Sequence, residues 1–165
     1  MNNVFENFVT ELIGEVIREN WAFDRYTALD QWPFTTLDID GKLKIIPDII
    51  IEDNDSDAAY PLVLDTKYKR QDQNSDYYQI IAYALAIPSA RNCCLLYPKD
   101  TICEDNLIVS RNLLKPGRNI NIFVRGIDLF IDEDIEFKEY IQKMKDQIEG
   151  ILLDLLETET IGCSS

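Results

Sequence analysis

Lys44-Ile45-Ile46-Pro47-Asp48-Ile49-Ile50-Ile51-Glu52 and, after a short polar loop, Pro61-Leu62-Val63-Leu64-Asp65-Thr66-Lys67-Tyr68 decide how this chain is read. Both runs are short, rich in β-branched and aliphatic residues, and bounded by polar or turn-forming residues, so both read as strands. Each also carries charge: Asp48 behind Pro47 in the first, Asp65 and Lys67 in the second. Burying a charge in an apolar strand is costly unless it is paired or binds a metal. Side chains two apart on a strand share a face. Asp65 and Lys67 therefore point with Val63, and Thr66 points the other way with Leu62 and Leu64. If the two strands pair antiparallel, Asp48 sits beside Asp65. Two adjacent carboxylates repel unless something neutralises them. A divalent cation does so, and hard oxygen ligands favour Mg²⁺ or Mn²⁺. Lys67 would flank such a site, where it can stabilise phosphate charge or a metal-bound hydroxide.

Outward from this pair, Phe5, Phe8, Val9, Leu12, Ile13, Val16 and Ile17 recur at spacings of three and four, which predicts an amphipathic helix over 4–18. Residues 32–52 read as extended, with Asp40-Gly41 as a hairpin turn and Leu43 to Glu52 as one central strand. Residues 53–59 read as a polar loop. The spacing of Asp53, Asp55 and Asp57 resembles a calcium loop, but the turn glycine and distal glutamate of that loop are missing. A helix is predicted over 76–87, ended by Pro88. Further strands are predicted over 91–97, 106–110 and 120–127, and a long amphipathic helix over roughly 135–157. The expected architecture is one α/β domain spanning 1–165. Its core, about 1–130, is a central mixed sheet flanked by helices.

Composition narrows the chemistry. Histidine is absent, which removes Ser-His-Asp and Cys-His hydrolases, His-ligated metal sites and histidine general bases together. The four cysteines, Cys93, Cys94, Cys103 and Cys163, show no Cys-x-x-Cys spacing. Cys93 and Cys94 lie in an apolar run and read as packed free thiols. No apolar run of about 18 residues or more is present, and no basic region precedes an apolar one at the N-terminus. A cytoplasmic protein without membrane contact is expected. The net charge is −14, from 30 acidic and 16 basic residues, which argues against strong unaided binding to nucleic acid.

The ordered set Pro47-Asp48 … Asp65-Thr66-Lys67 resembles the PD-(D/E)xK nuclease superfamily. Glu6 fits the extra acidic residue that many members place on the first helix, since it lines up with Val9 and Ile13 while Glu11 and Glu15 fall on another face. Gln79 and Tyr83, four apart, are similar to the QxxxY element of the RecB-like branch. Leu64-Asp65-Thr66-Lys67-Tyr68-Lys69, then Asp76-Tyr77-Tyr78-Gln79-Ile80-Ile81-Ala82-Tyr83-Ala84, then Leu95-Leu96-Tyr97-Pro98 resemble the McrC nuclease domain, the cleavage subunit of McrBC-type methylation-dependent restriction systems. The resemblance covers roughly residues 1–130. Residue 1 lies almost directly at the first helix, where McrC-type proteins carry a region that docks onto a partner.

The resemblance implies a restriction-endonuclease-like fold and a Mg²⁺-dependent deoxyribonuclease, an endonuclease of a restriction or defence system, with Mn²⁺ as substitute. Asp48, Asp65 and Lys67 would be catalytic. Asp48, Asp65, the Thr66 backbone carbonyl and Glu6 would hold metal. Gln79, Tyr83, Lys69 and Arg70 would position DNA. The acidic balance then calls for help in binding DNA, from a McrB-like AAA+ GTPase, another DNA-loading subunit, or a homo-oligomer of this chain. Two other readings of the same residues are a catalytically silent nuclease-fold interaction module and an acidic DNA mimic.

Overall fold

The apolar stripe of the first helix is the starting point of the fold. Phe5, Val9, Leu12, Ile13, Val16 and Ile17 are all buried along α1 (Asn2–Glu19). The fold is given by a computed structural model that describes residues 2–30, 35–57, 59–68, 74–101, 111–115, 118–130 and 134–157. After α1 come β1 (Tyr26–Asp30), β2 (Thr35–Thr36), β3 (Lys44–Ile45), β4 (Ile49–Asp53), β5 (Ala59–Thr66), α2 (Asn74–Ala86), β6 (Asn92–Pro98), β7 (Arg111–Lys115), β8 (Arg118–Ile127) and α3 (Phe137–Glu157). Among the described residues, six strands form one mixed sheet in the order β1-β4-β5-β6-β8-β7. The pairs β1/β4, β4/β5 and β7/β8 are antiparallel, whereas β5/β6 and β6/β8 are parallel.

Strand parity sorts the core into two layers. Ile49, Ile51, Leu62, Leu64, Cys94 and Leu96 pack on one face against α1 and α3, which contributes Met144, Ile148, Leu152, Leu155 and Leu156. Ile50, Val63, Cys93, Leu95, Tyr97, Ile122 and Val124 pack on the other face against Ile80, Tyr83 and Ala84 of α2. The alternation along β4, β5 and β6 is thus buried on both sides, as expected of a central sheet covered by helices. Cys93 and Cys94 are buried on opposite faces of the sheet, as their run suggests. Cys103 and Cys163 lie outside the described residues. Asn92 is buried, and its amide is satisfied by donating to the Leu155 carbonyl at 2.6 Å and accepting from Asn121 at 2.9 Å.

Several expectations need correction. The run Leu43 to Glu52 is not one strand. β3 pairs with β2 in a separate two-stranded hairpin, and the chain re-enters extended pairing only at Ile49. Pro47 is the physical reason, because it has no N–H to give to a ladder and is tolerated at strand starts and breaks. The turn itself falls where Asp40-Gly41 indicates. Gly41 has φ 69, and the Asp38 carboxylate accepts from the backbone N–H of Leu43 at 2.6 Å and of Lys42 at 3.0 Å. The loop expected over 53–59 is shorter, since Asp53 closes β4 and Ala59 opens β5. β1 and β7 are strands the sequence reading did not expect. The strand expected over 106–110 lies outside the described residues.

Candidate active site

β5 carries Asp65 one residue from its end, and Lys67 follows directly after the strand. The backbone N–H of Lys67 donates to the Leu96 carbonyl at 2.8 Å, so β6 still holds the chain at this point. The Lys67 ammonium lies against Asp65 Oδ2 as an ion pair. Asp65 is 0% exposed, and the Lys67 ammonium and the Tyr83 hydroxyl reach toward its carboxylate without a hydrogen bond of good geometry to either oxygen. Burial, then the charge of Asp48, push its pKa up to about 7, against the lowering effect of Lys67. The predicted sharing of a face holds: Val63 packs in the α2-side layer, and Asp65 comes under the influence of Tyr83 and Asp76 on that side.

Asp48 precedes β4 rather than lying inside it, in the bend left by Pro47. The register Ile49↔Leu64 brings the residue before Ile49 level with the residue after Leu64, which is Asp65. The Asp48 carboxylate is held from the Thr66 side: Oδ2 accepts from the Thr66 backbone N–H at 2.7 Å and from its hydroxyl at 2.9 Å. The motif assigns a role only to the Thr66 carbonyl, whereas the fold also uses its hydroxyl. The residue pair is too far apart in sequence, 18 positions, for any local pattern to announce it.

Glu6 sits on α1 where its charge couples to the same group. Its pKa is raised, first by burial and then by Asp48, while Lys67 lowers it. Next to it, the Phe5 ring meets Tyr68 with centroids 5.7 Å apart, joining α1 to the chain just beyond Lys67. Glu15, on the other face as expected, pairs with Lys145 of α3 at 2.7 Å. Among the described residues, no three His, Cys, Asp or Glu side chains are gathered closely enough to hold a metal ion.

Gln79 and Tyr83 do share a face of α2. Gln79 Nε2 donates to the Tyr83 hydroxyl at 2.6 Å, and that hydroxyl donates to the Ile46 carbonyl at 3.2 Å. The pair thus grips the backbone just ahead of Pro47-Asp48. Burial and the charge of Asp65 raise the Tyr83 pKa, so its proton stays available for that bond. Two further residues of the same motifs are joined by the fold. Asp76 and Tyr97 are 2% and 1% exposed, and Tyr97 donates to Asp76 Oδ2 at 2.7 Å. The signal that could have found Asp76 is its place four and seven residues before Ile80 and Tyr83, on the buried stripe of α2. Lys69 and Arg70 lie outside the described residues. Lys42 and Lys44 are exposed on the β2–β3 hairpin, with Lys42 near Asp40.

A mixed sheet covered by helices on both faces, with paired acids where its central strands end, is a restriction-endonuclease-like α/β fold. The model of the McrBC 5-methylcytosine restriction system component family matches residues 1–98, more than half of the sequence, and the chain belongs to that family. Among solved structures, this fold is similar to a chain of the refined half-complex from the tetradecameric assembly of Thermococcus gammatolerans McrB AAA+ hexamers with bound McrC. The TM-score is 0.61 at 14% identity, over 92% of this chain and 33% of that one. The present chain therefore spans about a third of the length of the chain it matches. No curated protein matches it.

Proposed function

We propose that this chain is the DNA-cleaving component of a McrBC-type restriction system, a Mg²⁺-dependent deoxyribonuclease acting as an endonuclease in the cytoplasm. One observation carries the reading. Asp65 is a fully buried carboxylate placed beside a second acid, Asp48, with the Lys67 ammonium and the Tyr83 hydroxyl reaching toward it but no hydrogen bond of good geometry to either oxygen. A structural acid in such a place is ordinarily satisfied by donors. One left short of donors, next to a second acid, suits a cation.

The donor set fits magnesium. Mg²⁺ binds through one or two carboxylates and keeps several waters, so it needs no cage of protein ligands. Asp48, Asp65 and the Thr66 carbonyl would hold it, with Mn²⁺ as a substitute. Glu6 we assign to the outer side of this pair, where it feels Asp48 and Lys67 through charge. A bound divalent ion supplies positive charge to the phosphate and lowers the pKa of water in the site. The protein groups have separate tasks. The Thr66 N–H and hydroxyl fix the Asp48 carboxylate. Lys67, with its side chain 15% exposed, reaches the surface beside Asp65 and would stabilise negative charge growing on the phosphate. Gln79 and Tyr83 hold the segment that presents Asp48. Lys69 and Arg70 come two and three residues after Lys67 in sequence, past Tyr68, and are assigned to the flanking phosphates.

A net charge of −14 opposes free binding to DNA. We therefore assign delivery of DNA to a partner, a McrB-like AAA+ GTPase, in line with the AAA+ hexamers present in the structurally similar complex. Among the described residues no helix is long and apolar enough to cross a membrane.

The test is cleavage of methylated and unmethylated plasmid by the purified chain, with and without the AAA+ partner and GTP, in Mg²⁺, Mn²⁺ or EDTA. Cutting should require metal and fall by about 10²–10³-fold or more in Asp65→Ala and in Lys67→Ala. Equal cutting by wild type and both variants would sink the assignment.

A further inference from the structure

We propose that Asp76 and Tyr97 are positioning residues for this site: their hydrogen bond fixes the first turn of α2 on β6, and α2 in turn fixes the segment that presents Asp48. The inference rests on the nuclease reading of Asp48 and Asp65, and extends it to a pair that this reading does not use.

The geometry runs as one bracket. β5 and β6 are parallel with Asp65 level with Leu95, so Tyr97 stands two residues further along β6 on the same face. Leu95 and Tyr97 both belong to the α2-side layer. From there the Tyr97 hydroxyl donates to Asp76 in the first turn of α2 at 2.7 Å. Two turns later on the same helix face, Tyr83 donates to the Ile46 carbonyl at 3.2 Å. Asp48 lies two residues beyond Ile46, and Thr66 of β5 closes the bracket by donating to Asp48. α2 is thus tied at both ends, once to β6 and once to the loop that carries a proposed metal ligand.

Packing alone does not account for Asp76. Its place among Ile80, Tyr83 and Ala84 on the buried stripe of α2 would suit an aliphatic residue. An acid in the first turn favours a helix through the dipole, but that benefit does not need burial. A 2% exposed carboxylate costs free energy unless it is bonded, and Tyr97 supplies such a bond.

The test combines two readouts on the full chain: hydrogen–deuterium exchange of the peptide spanning residues 44–50, and cleavage kinetics with the AAA+ partner. Tyr97→Phe and Asp76→Leu should speed exchange in this peptide by about tenfold, since they release a local restraint. They should also lower kcat on the order of tenfold, while KM for DNA changes less than about twofold. Asp76→Asn keeps an acceptor for the tyrosine hydroxyl and should restore wild-type exchange and kcat. Ile80→Val, which loosens α2 packing without touching the bond, should leave exchange over 44–50 at the wild-type rate. Unchanged exchange in both Tyr97→Phe and Asp76→Leu overturns the proposal, whatever their activity, and so does equal acceleration in Ile80→Val. A wild type that never cuts DNA would overturn the nuclease reading instead, while the exchange measurement still reads the bracket.

Discussion

The two ends of the β4/β5 pair each hold a buried acid, and they treat it in opposite ways. At the far end, Asp53 is 6% exposed and fully engaged. Arg25 reaches it through Nε at 3.1 Å and Nη2 at 2.5 Å, and the Asp55 backbone N–H donates to it at 3.0 Å. The Arg25 hydrogen bond outweighs burial and holds the Asp53 carboxyl below the usual carboxylate range. At the near end, Asp65 has the Lys67 ammonium and the Tyr83 hydroxyl toward it without a bond of good geometry, and burial and the second acid beside it push its pKa up to about 7. Both carboxylates are shielded from solvent, but Asp65 lies much deeper, and burial is the largest cause of its raised pKa. Depth and the donors that the protein supplies to each carboxylate together separate the two acids.

The contrast can be broken most strongly through pH. Asp65 has a folded pKa raised above its unfolded value, so the folded state binds the extra proton. Its contribution to stability is present below about pH 4 and is lost as pH rises toward and through about 7. Thermal denaturation between pH 4 and 8 should therefore show a loss in wild type, on the order of a few kcal/mol, that Asp65→Asn lacks. Added Mg²⁺ should raise the wild-type melting temperature more at pH 8 than at pH 5.5 and leave Asp65→Asn nearly unmoved. A wild type and variant with the same pH slope would contradict the assigned state of Asp65.

At the other end, Arg25→Ala strands Asp53 and should cost about 1–3 kcal/mol of stability, measured by urea denaturation, with cleavage per folded molecule unchanged. The Asp53 pair has the opposite pH sense, since its stabilisation is lost as pH falls through the lowered carboxyl pKa. A loss of cleavage in Arg25→Ala at full folding would erase the distinction between the two ends. Smaller still is Thr66→Val, which removes the hydroxyl bond to Asp48 but keeps the N–H bond. It should weaken metal-dependent cutting by roughly tenfold, the equivalent of about one net hydrogen bond. The smallest effect is expected from Glu6→Gln, a change of about twofold to fivefold in cutting, within the scale of one partly exposed charge interaction.

Much of the near end was legible in the sequence because it follows from local rules. The period of two put Asp65 with Val63 and opposite Leu64 and Thr66, and the spacing of four put Gln79 beside Tyr83. The three- and four-residue stripe on α1 predicted its buried face, including the split between Glu6 and Glu15. What was not legible depends on register between distant segments. Thr66 meets Asp48 across 18 residues, Tyr97 meets Asp76 across 21, and Tyr83 meets Ile46 across 37. β1 escaped notice for a related reason. Tyr26 to Leu29 are all partly buried, so the strand shows no alternation to read, and its place at the sheet edge becomes visible only through β4. The break before Asp48 was written in Pro47 but overruled by the isoleucines around it.

That proline has a consequence which no contact in the folded chain records. Its ring fixes one backbone torsion and confines the residue before it to extended conformations even when the chain is unfolded. Ile46 and Pro47 thus reach the folding transition with fewer conformations to surrender, and Asp48 is delivered from a segment already half-ordered. Pro47→Gly would leave every hydrogen bond around Asp48 available and still destabilise the junction by on the order of 1 kcal/mol through the entropy of the unfolded ensemble, beyond the packing lost with the buried ring. Part of the precision of this site therefore resides in the disordered chain.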